Sequence, residues 1–558
     1  MDFSTINGSQ AVYYVLLFIL VLTILALLSF VLKHIFFYLL RLVGLYHFKY
    51  YSKWPTLPWR PLWRIVSKLH QWWQEIFAFG KRSTGGFQNI LSTLCMVYKS
   101  GHIPLGRATF LELPLITPIG LKTKRHLMCF GMTGGGKTVF LTLLVNAWPS
   151  SFFLIDPIGK VTSRLISRSK KEWHALAPYD EQLGNATWNV FDEITEFAKR
   201  FGESSVVALI EKISEALIVR NKHDHNPFFA IAATSIVCAV IMHVYTAYEK
   251  SHRNLVTVYR LLTNGTLGTP TEDSFDNFLK ELLSNPSFDG AIASKAASII
   301  DAGKTTRGNI LATARDQLKW IAIPEVQKLV RSSSFLSFEL IERDDIGVSF
   351  IAPVSDIRGH FGGLLRLLTN VMSYNFERTA KPRRYPCLIA CDEMQAQGYN
   401  EYVEQTAPVM RNYGVQFIGF NQDIGGFKSA YPQTWESFIG NADAVIWAAT
   451  DHEETKQYLS NKLGKTSSKK NSSASRHTGN DRDVLTPEQI NRLLDTSKTN
   501  QHIIVTRAGK RPIKLKFFAY FKELPVSIYD PDPEHRQPLL FRVTRWLLTR
   551  LKGSVSQQ

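Results

Sequence analysis

The chain has 558 residues, 45% hydrophobic and 20% charged, which is the balance of a folded protein with two or three domains. Disorder is therefore not the default expectation for this composition. The net charge of +18 is uneven, because residues 31–130 contain 14 Lys and Arg against only Glu75 and Glu112 and so carry +12. That asymmetry favours an anionic membrane surface or a polyanion as partner, with a merely solvated basic face as the alternative. The five cysteines indicate reduced core residues rather than a disulfide framework.

The first element in the chain is an uncharged run from Ala11 to Leu32. As a helix rising about 1.5 Å per residue it is roughly 33 Å long, enough to cross the core of a bilayer. A cleaved signal peptide is disfavoured, because no basic region precedes the run and Lys33 and His34 follow it. Basic residues crowd its C-terminal flank, so the bulk of the chain is predicted to be cytoplasmic. Tryptophans between residues 54 and 73 alternate with basic residues and predict a belt at headgroup level.

A glycine-rich stretch, "GMTGGGKT" from Gly131 to Thr138, lies between the apolar run "RHLMCF" and the helix-length run "TVFLTLLVNAW". This spacing between a strand and a helix is the P-loop pattern. Glycines let backbone N–H groups face the phosphates, Lys137 neutralises them, and Thr138 offers a hydroxyl to Mg²⁺. A flexible linker is the alternative, but a linker needs neither the Lys-Thr pair nor the flanking elements. The predicted ATP-binding residues are Gly131, Thr133, Gly134, Gly135, Gly136, Lys137 and Thr138.

Two acidic strand ends compete to hold the metal of such a site. The run "YPCLIACDEM" ends in Asp392 and Glu393, and "SSFFLIDP" ends in Asp156. The first is preferred, because Asp392 can bind Mg²⁺ while Glu393 activates the attacking water. Asp156 is predicted either to border the site or to start a turn before Pro157.

Further strands are predicted at "GVSFIAPV", "GVQFIGF" and "ADAVIWAA", with helical patterns between them. Strands that alternate with helices form a parallel sheet and bind nucleotide at its carboxyl edge, which gives an α/β fold. Gln422 follows one of these strands and is predicted to sense the γ-phosphate. Arg411, on the predicted helix "YVEQTAPVMRNYG", is a candidate arginine finger for a neighbouring subunit, with a solvated surface residue as the alternative.

Other segments carry weaker signals. Between Asp192 and about Ser334 the strand pattern disappears and helical stretches remain. One of them, "PFFAIAATSIVCAVIMHVYTAYEK", is predicted to be a core helix, because its uncharged part is too short to cross a membrane easily. His223 to His225 is predicted to be a polar loop and "SSKKNSSASR" a mobile linker. "YDPDPEHRQP" is predicted to be a linker before a basic amphipathic helix, residues 539–553, which packs on the motor itself or docks on lipid or an acidic partner.

Together these motifs resemble the coupling proteins of conjugation and type IV secretion, the TraG/TraD family of hexameric ATPases within the FtsK/HerA group. The resemblance covers most of the chain and rests on "FGMTGGGKT", "FLIDPIGK", "IACDEMQAQG", "RNYGVQFIGFNQD" and "YLSNKLGKTS" with "DVLTPEQINRLL". It implies a RecA-like P-loop motor with a parallel sheet, an inserted all-α domain and an N-terminal transmembrane anchor. The implied roles are ATP–Mg²⁺ binding for Lys137 and Thr138, Walker B for Asp392 and Glu393, trans finger for Arg411, and sensor for Gln422.

The resemblance also implies partners and a location. The chain is expected to form a homo-hexamer at the bacterial inner membrane, crossing it once or a few times, and to engage single-stranded DNA, a relaxase with relaxosome proteins, and type IV secretion channel components. A coupling ATPase for protein effectors only, an FtsK-like DNA translocase and a non-catalytic nucleotide-binding scaffold are the alternatives; Glu393 argues against the scaffold. "DPIGK" stands where many relatives have "DPKGE", and one membrane helix is predicted where relatives often have two.

The predicted boundaries follow from these segments. They are an anchor and juxtamembrane segment at residues 1–75, a nucleotide-binding domain in two parts at 76–192 and 335–528, an all-α domain at 193–334, and a linker with a C-terminal helix at 529–558.

Overall fold

The computed structural model describes residues 87–88, 90–110, 113–219, 227–359, 361–381, 383–394, 404, 409–467, 481–496, 501–524 and 526–531. Apart from residues 90–91 and 113, these belong to one compact unit. The predicted anchor, the tryptophan belt, the loop at His223 to His225 and the C-terminal helix lie outside the described residues.

Eleven of the described strands form one sheet in the order β2-β1-β13-β12-β9-β3-β8-β7-β4-β6-β5, and β10 and β11 form a separate pair. The strands are β1 (Ile103–Phe110), β2 (Leu113–Leu121), β3 (Leu127–Phe130), β4 (Phe152–Ile155), β5 (Glu172–Leu176), β6 (Ile346–Phe350), β7 (Cys387–Cys391), β8 (Val415–Asn421), β9 (Ala444–Trp447), β10 (Lys465–Ser467), β11 (Asp481–Asp483), β12 (His502–Arg507) and β13 (Lys510–Lys516).

The half of the sheet from β9 to β5 is parallel throughout. Its strands β3, β4, β6, β7, β8 and β9 are buried along their whole length, as expected for parallel strands covered on both faces. The predicted α/β fold with a mostly parallel sheet is therefore confirmed. The other half was not predicted: β12 pairs antiparallel with β9 and β13, and β13 pairs antiparallel with β1.

Helices connect and cover these strands. They are α1 (Ile90–Leu94), α2 (Lys137–Ala147), α3 (Lys160–Leu165), α4 (Val190–Phe201), α5 (Val206–Leu217), α6 (Phe228–Ala247), α7 (Leu255–Asn264), α8 (Ser274–Ser284), α9 (Ala291–Ile300), α10 (Lys304–Leu318), α11 (Pro324–Leu329), α12 (Ser337–Glu342), α13 (Val354–Arg358), α14 (Gly362–Arg378), α15 (Ile424–Ala430), α16 (Trp435–Asn441), α17 (Glu453–Leu463), α18 (Pro487–Leu494) and α19 (Tyr520–Glu523).

Two hydrophobic cores lie on the two faces of the sheet, because successive strand residues point to opposite sides. In β3, Leu127 and Cys129 belong to one core, and Met128 and Phe130 belong to the other. The first core contains the apolar face of α2, which places that helix directly against the parallel strands. The second continues into the helices between β5 and β6.

The described chain between β5 and β6 contains helices and no strand, as the sequence pattern indicates. Among the described helices, α6 is the one long and apolar enough to cross a membrane by length and composition. Most of α6 is buried inside the fold, in agreement with the prediction of a core helix. The boundaries of a separate all-α domain remain a prediction.

The predicted C-terminal linker does not begin at Tyr529. The Tyr529 side chain is buried, with its ring 4.8 Å from that of Tyr520. The next residue, Asp530, donates its backbone N–H to the Arg164 carbonyl and pairs with Arg168 at 2.8 Å. The linker was predicted from the acidic and proline residues of this segment, which do not reveal that the Tyr529 ring is buried. These contacts show that the packed fold extends at least to residue 530.

One buried carboxylate joins three helices and the segment before α4. Glu193 of α4 is fully buried and accepts hydrogen bonds from Trp188 Nε1 at 2.9 Å and from the backbone N–H and hydroxyl of Ser337 at 2.6 and 2.8 Å. Asn375 Nδ2 of α14 donates a fourth bond at 3.1 Å. Burial raises the pKa of Glu193 to about 7, while these donors oppose the rise. A single side chain thus ties together three helices and the segment that carries Trp188.

We expect Glu193→Ala to destabilise the fold by about 2–4 kcal/mol, because it leaves several buried donors without an acceptor. Glu193→Gln should cost less, since the Asn375 amide can turn its unpartnered Oδ1 towards the new NH₂ group. The matched control is Glu211→Ala, which removes an exposed ion pair with Lys295 and should cost under about 1 kcal/mol. Thermal unfolding midpoints of the three variants check this order.

The raised pKa also predicts a pH dependence. Folded Glu193 holds its proton up to about pH 7, whereas the unfolded carboxyl releases it near its ordinary pKa. The folded state therefore binds more protons in this window, and the contribution of Glu193 to stability falls as the pH rises. The stability of the native chain relative to Glu193→Gln should decrease between about pH 4.5 and 7. A pH-independent difference would contradict the assignment.

Candidate nucleotide-binding site

The predicted glycine loop connects β3 to α2 at the carboxyl edge of the parallel strands. Main-chain bonds from both neighbouring strand ends fix its start: Gly131 N donates to Asn421 O at 3.0 Å and Met132 N to Ala449 O at 2.7 Å. Gly134 and Gly136 have φ of +76° and +91°, in the left-handed region that favours glycine. Helix α2 then begins at Lys137 without a side-chain cap, so its first N–H groups point out of the helix end. Such a loop and helix terminus form a cradle for phosphates.

The sheet brings three of the predicted site residues together. The Lys137 side chain is 6% exposed, and its Nζ lies 2.6 Å from the Gly131 carbonyl oxygen and 3.6 Å from Glu393 Oε1. Gln422 Nε2 donates to both carboxylate oxygens of Glu393, at 3.1 and 3.2 Å. The predicted phosphate ligand, water-activating group and sensor are therefore in direct contact at one edge.

The backbone at Glu393 is unusual. Glu393 directly follows Asp392 after β7 and has φ of +60°, a left-handed conformation rare for a residue with a side chain. Such a conformation costs on the order of 1–3 kcal/mol and persists where the surroundings over-determine it. Here Lys137 and Gln422 hold the carboxylate in place. The left-handed backbone therefore coincides with the placement of the Glu393 carboxylate beside Lys137.

Asp392 has the surroundings of a ligand for a divalent cation. Its side chain is buried and its Oδ1 has no hydrogen-bond partner. Burial, followed by the charges of Asp156 and Glu393, raises the pKa of Asp392 to about 7, and Lys137 and the Thr138 side chain oppose the rise. A buried, unpartnered carboxylate oxygen next to a hydroxyl and two further carboxylates fits Mg²⁺, which prefers oxygen ligands. Thr138 and Asp392 are the residues that would hold it.

Asp156 lies beside this cluster but has a structural task. Its Oδ2 accepts the backbone N–H of Val161 at 2.9 Å and of Thr162 at 2.8 Å, together with the Thr162 hydroxyl at 3.0 Å. It thereby satisfies free N–H groups in the first turn of α3. Asp156 also raises the pKa of Asp392, so it borders the site as well. The predicted turn is present, because Gly159 donates its backbone N–H to the Asp156 carbonyl at 2.9 Å, and a role of Asp156 in nucleotide binding stays a prediction.

Arg411 is not part of this cluster. It is exposed on a 3₁₀ turn, Met410–Tyr413, immediately before β8, whereas Gln422 follows the same strand. At about 3.3 Å per residue, β8 keeps the two side chains roughly 20 Å apart. Six of the thirteen residues of the helix predicted to carry Arg411 lie outside the described residues, and around Arg411 itself the structure has the 3₁₀ turn. Arg411 instead lines a basic, solvent-open pocket with Lys124, Lys381 and Arg383 at the amino edge of the sheet.

The structure adds residues near the loop that the motif analysis did not identify. Gln501, just before β12, donates its side-chain amide to the Gly135 carbonyl at 3.0 Å. Ala449, just after β9, accepts the Met132 N–H. Gln501 and Gly135 are 366 residues apart along the chain, so no local pattern could reveal their contact. The antiparallel extension therefore supports the glycine loop directly.

A mostly parallel sheet with a glycine loop between β3 and α2 defines an α/β protein of the P-loop class. Within that class, residues 98–544 match the family described as type IV secretory system conjugative DNA transfer. This match covers most of the sequence, and the chain belongs to that family.

Individual relatives are more distant. The conjugal transfer protein TraG of Escherichia coli is 24% identical over 363 residues, which cover 61% of this chain and 55% of TraG. VirD4 of Rhizobium rhizogenes is 26% identical over 173 residues, covering 29% of this chain and 25% of VirD4. The chain thus spans little more than half the length of the TraG protein it matches.

Solved structures show the same fold. The unbound bacterial conjugative coupling protein TrwBΔN70 has a TM-score of 0.59 and 17% identity, with 79% of this chain and 94% of that chain covered. TrwB in complex with ADP and Mg²⁺ has a TM-score of 0.57 and 16% identity over the same shares of the two chains. At this identity the likeness establishes the fold alone.

The loop geometry predicts different costs for two glycine substitutions. A methyl group at Gly136 would lie 2.6 Å from Phe517 Cζ, whereas one at Gly134 would meet nothing within 4 Å. Gly134→Ala should therefore cost only the left-handed strain, about 1–2 kcal/mol. Gly136→Ala should cost about 1–3 kcal/mol more, because the Phe517 ring must move. Unfolding midpoints of the nucleotide-free variants measure the difference, and equal midpoints would contradict the predicted clash.

Proposed function

We propose that the chain is a membrane-anchored ATPase that couples conjugative DNA to a type IV secretion channel. It would pump a single strand with its bound relaxase, acting as a homo-hexamer on the cytoplasmic side of the bacterial inner membrane. Membership of the conjugative DNA transfer family supports this proposal. The observation that carries it is the contact of Glu393 with both Lys137 and Gln422 beside the phosphate cradle. A scaffold that only binds nucleotide has no need for a strained carboxylate at this position.

The proposed nucleotide is ATP with Mg²⁺. TrwB, which has the same fold, has been solved with ADP and Mg²⁺ and with a non-hydrolysable GTP analogue. In the present chain, the N–H groups of the glycine loop other than those of Gly131, Met132 and Gly135, which bond to carbonyls, would bind the phosphates together with the first turn of α2. Lys137 would neutralise the phosphates, and Thr138 and Asp392 would hold Mg²⁺. The metal ion would supply charge neutralisation as the terminal phosphate leaves.

Glu393 is positioned to orient the attacking water. Its carboxylate lies 3.6 Å from Lys137 Nζ and accepts hydrogen bonds from the Gln422 amide. Because Gln422 contacts Glu393 directly, a phosphate that attracts the Gln422 amide would change how the carboxylate is held. Gln422 would thereby report the state of the nucleotide to the group that activates water.

Arg411 would act across a subunit interface. The distance along β8 separates it from the nucleotide of its own subunit, and it is exposed in a basic pocket. In a ring, the amino edge of one sheet can face the carboxyl edge of the next. Arg411 would then stabilise charge on the neighbouring nucleotide and make hydrolysis depend on assembly.

The first test measures ATP turnover of the purified full-length chain with and without single-stranded DNA. We expect DNA to stimulate turnover and Lys137→Ala to lose nucleotide binding. Glu393→Gln should bind ATP but hydrolyse it at least about 100-fold more slowly, because the general base is lost. Turnover that DNA does not stimulate would favour the coupling of protein effectors only. Ordinary turnover in Glu393→Gln would remove Glu393 from the mechanism.

The second test concerns the finger. Arg411→Ala and Glu393→Gln subunits should each be inactive, but a mixture should regain part of the ATPase activity, because each supplies at an interface what the other lacks. Lys199→Ala, at an exposed position on α4, is the control and should not affect the mixture. Absence of rescue at every mixing ratio would show that Arg411 does not act in trans.

A further inference from the structure

The sheet order gives the bound nucleotide a direction. Gln422 follows β8 and Glu393 follows β7, and both strands lie on the same side of the P-loop strand β3. Lys137 contacts Glu393 on that side, so the terminal phosphate belongs there. The nucleoside must then leave the loop towards the other side, where β9, β12 and β13 lie. This step rests on the proposed nucleotide function of the loop.

The strand directions identify which residues meet the nucleoside. β12 runs antiparallel to both β9 and β13, and β9 runs parallel to β3. The end of β13 therefore lies at the same edge as the glycine loop. The next residue, Phe517, donates its backbone N–H to the Gln501 carbonyl at 2.9 Å, and the Gln501 side chain bonds Gly135. Gln501 thus holds Phe517 beside the loop, because its carbonyl accepts the Phe517 N–H while its side chain donates to Gly135.

Phe517 packs against the hydrophobic core and is also partly exposed. Its tip points at Gly136, and together with Phe140, Ile446 and Ile503 it lines a small cavity beneath the loop. The ring packs against the core on this side, yet the residue is only partly buried. An aromatic residue that packs on the core and is partly exposed beside a phosphate cradle has the properties of a stacking surface for a base.

We propose that Phe517 is the platform on which the purine base of the nucleotide stacks. Stacking on an aromatic ring contributes about 1–3 kcal/mol per base and is tolerant of base identity, because every base has a π-face. The platform therefore binds adenine and guanine nucleotides with similar affinity. Which of the two occupies the site depends on their concentrations. The triphosphate remains the part that the glycine loop, Lys137 and Thr138 recognise.

The test compares ligands with and without a base on the full-length chain. Phe517→Leu keeps an apolar side chain under the loop but removes the ring, and Phe517→Tyr keeps the ring. Titration calorimetry in Mg²⁺ should show ATP and GTP binding to Phe517→Leu about 5-fold to 100-fold more weakly, and to Phe517→Tyr as in the native chain. Inorganic tripolyphosphate, which has no base, should bind the native chain and Phe517→Leu within about two-fold of each other.

Three results would overturn the assignment or its basis. Equal losses of ATP and tripolyphosphate affinity in Phe517→Leu would show that the ring only shapes the loop. Unchanged ATP affinity in Phe517→Leu, with binding abolished in Lys137→Ala, would refute the base platform and leave the proposed nucleotide function intact. A native chain that binds neither ATP nor GTP would refute the nucleotide function and the platform together.

Discussion

The buried ammonium of Lys137 is the charge on which the arrangement of the site depends. It is 6% exposed and sits between the Gly131 carbonyl and the Glu393 carboxylate. The charges of Asp156 and Glu393 add to burial in raising the pKa of Asp392, and Lys137 opposes that rise. A buried charge is tolerated only when it is paired and hydrogen-bonded. Lys137 therefore permits the carboxylates to gather at the edge of the sheet, and the glycine loop fixes the position of Lys137.

The parallel half of the fold could be read from the sequence because its signals are local. Strands such as Phe152–Ile155 and Cys387–Cys391 are short apolar runs buried on both faces, and each ends in an acidic residue. The antiparallel half was not predicted, although β12 contains a short buried apolar run at residues 503–505. In β13 only Ile513 and Leu515 are buried, between lysines and an arginine, so the strand reads as polar and its place in the sheet depends on pairing with β12. β5 begins with an exposed Glu172 and was missed for a similar reason.

The site divides in the same way. Residues that belong to the glycine loop or follow an apolar strand were proposed correctly as neighbours, because the carboxyl ends of parallel strands meet at one edge. The contact between Gln422 and Glu393 needed more, namely the adjacency of β7 and β8 in the sheet. The left-handed backbone of Glu393 and the support of the loop by Gln501 have no sequence signature at all. They depend on contacts between distant segments, which periodicity and spacing do not report.

β8 gives the proposed ring a physical route between neighbouring sites. The strand is buried along its whole length and is hydrogen-bonded to β3 on one side and β7 on the other, so it behaves as a stiff rod. Gln422, which follows its carboxyl end, donates a hydrogen bond to Glu393, the proposed water-activating group, and Arg411 precedes its amino end. A shift of Gln422 as the terminal phosphate is bound or lost cannot be absorbed by a loop within the strand. In the proposed ring it would be passed to the turn that carries Arg411, so the strand that precedes the proposed sensor of one nucleotide would also position the cation offered to the next.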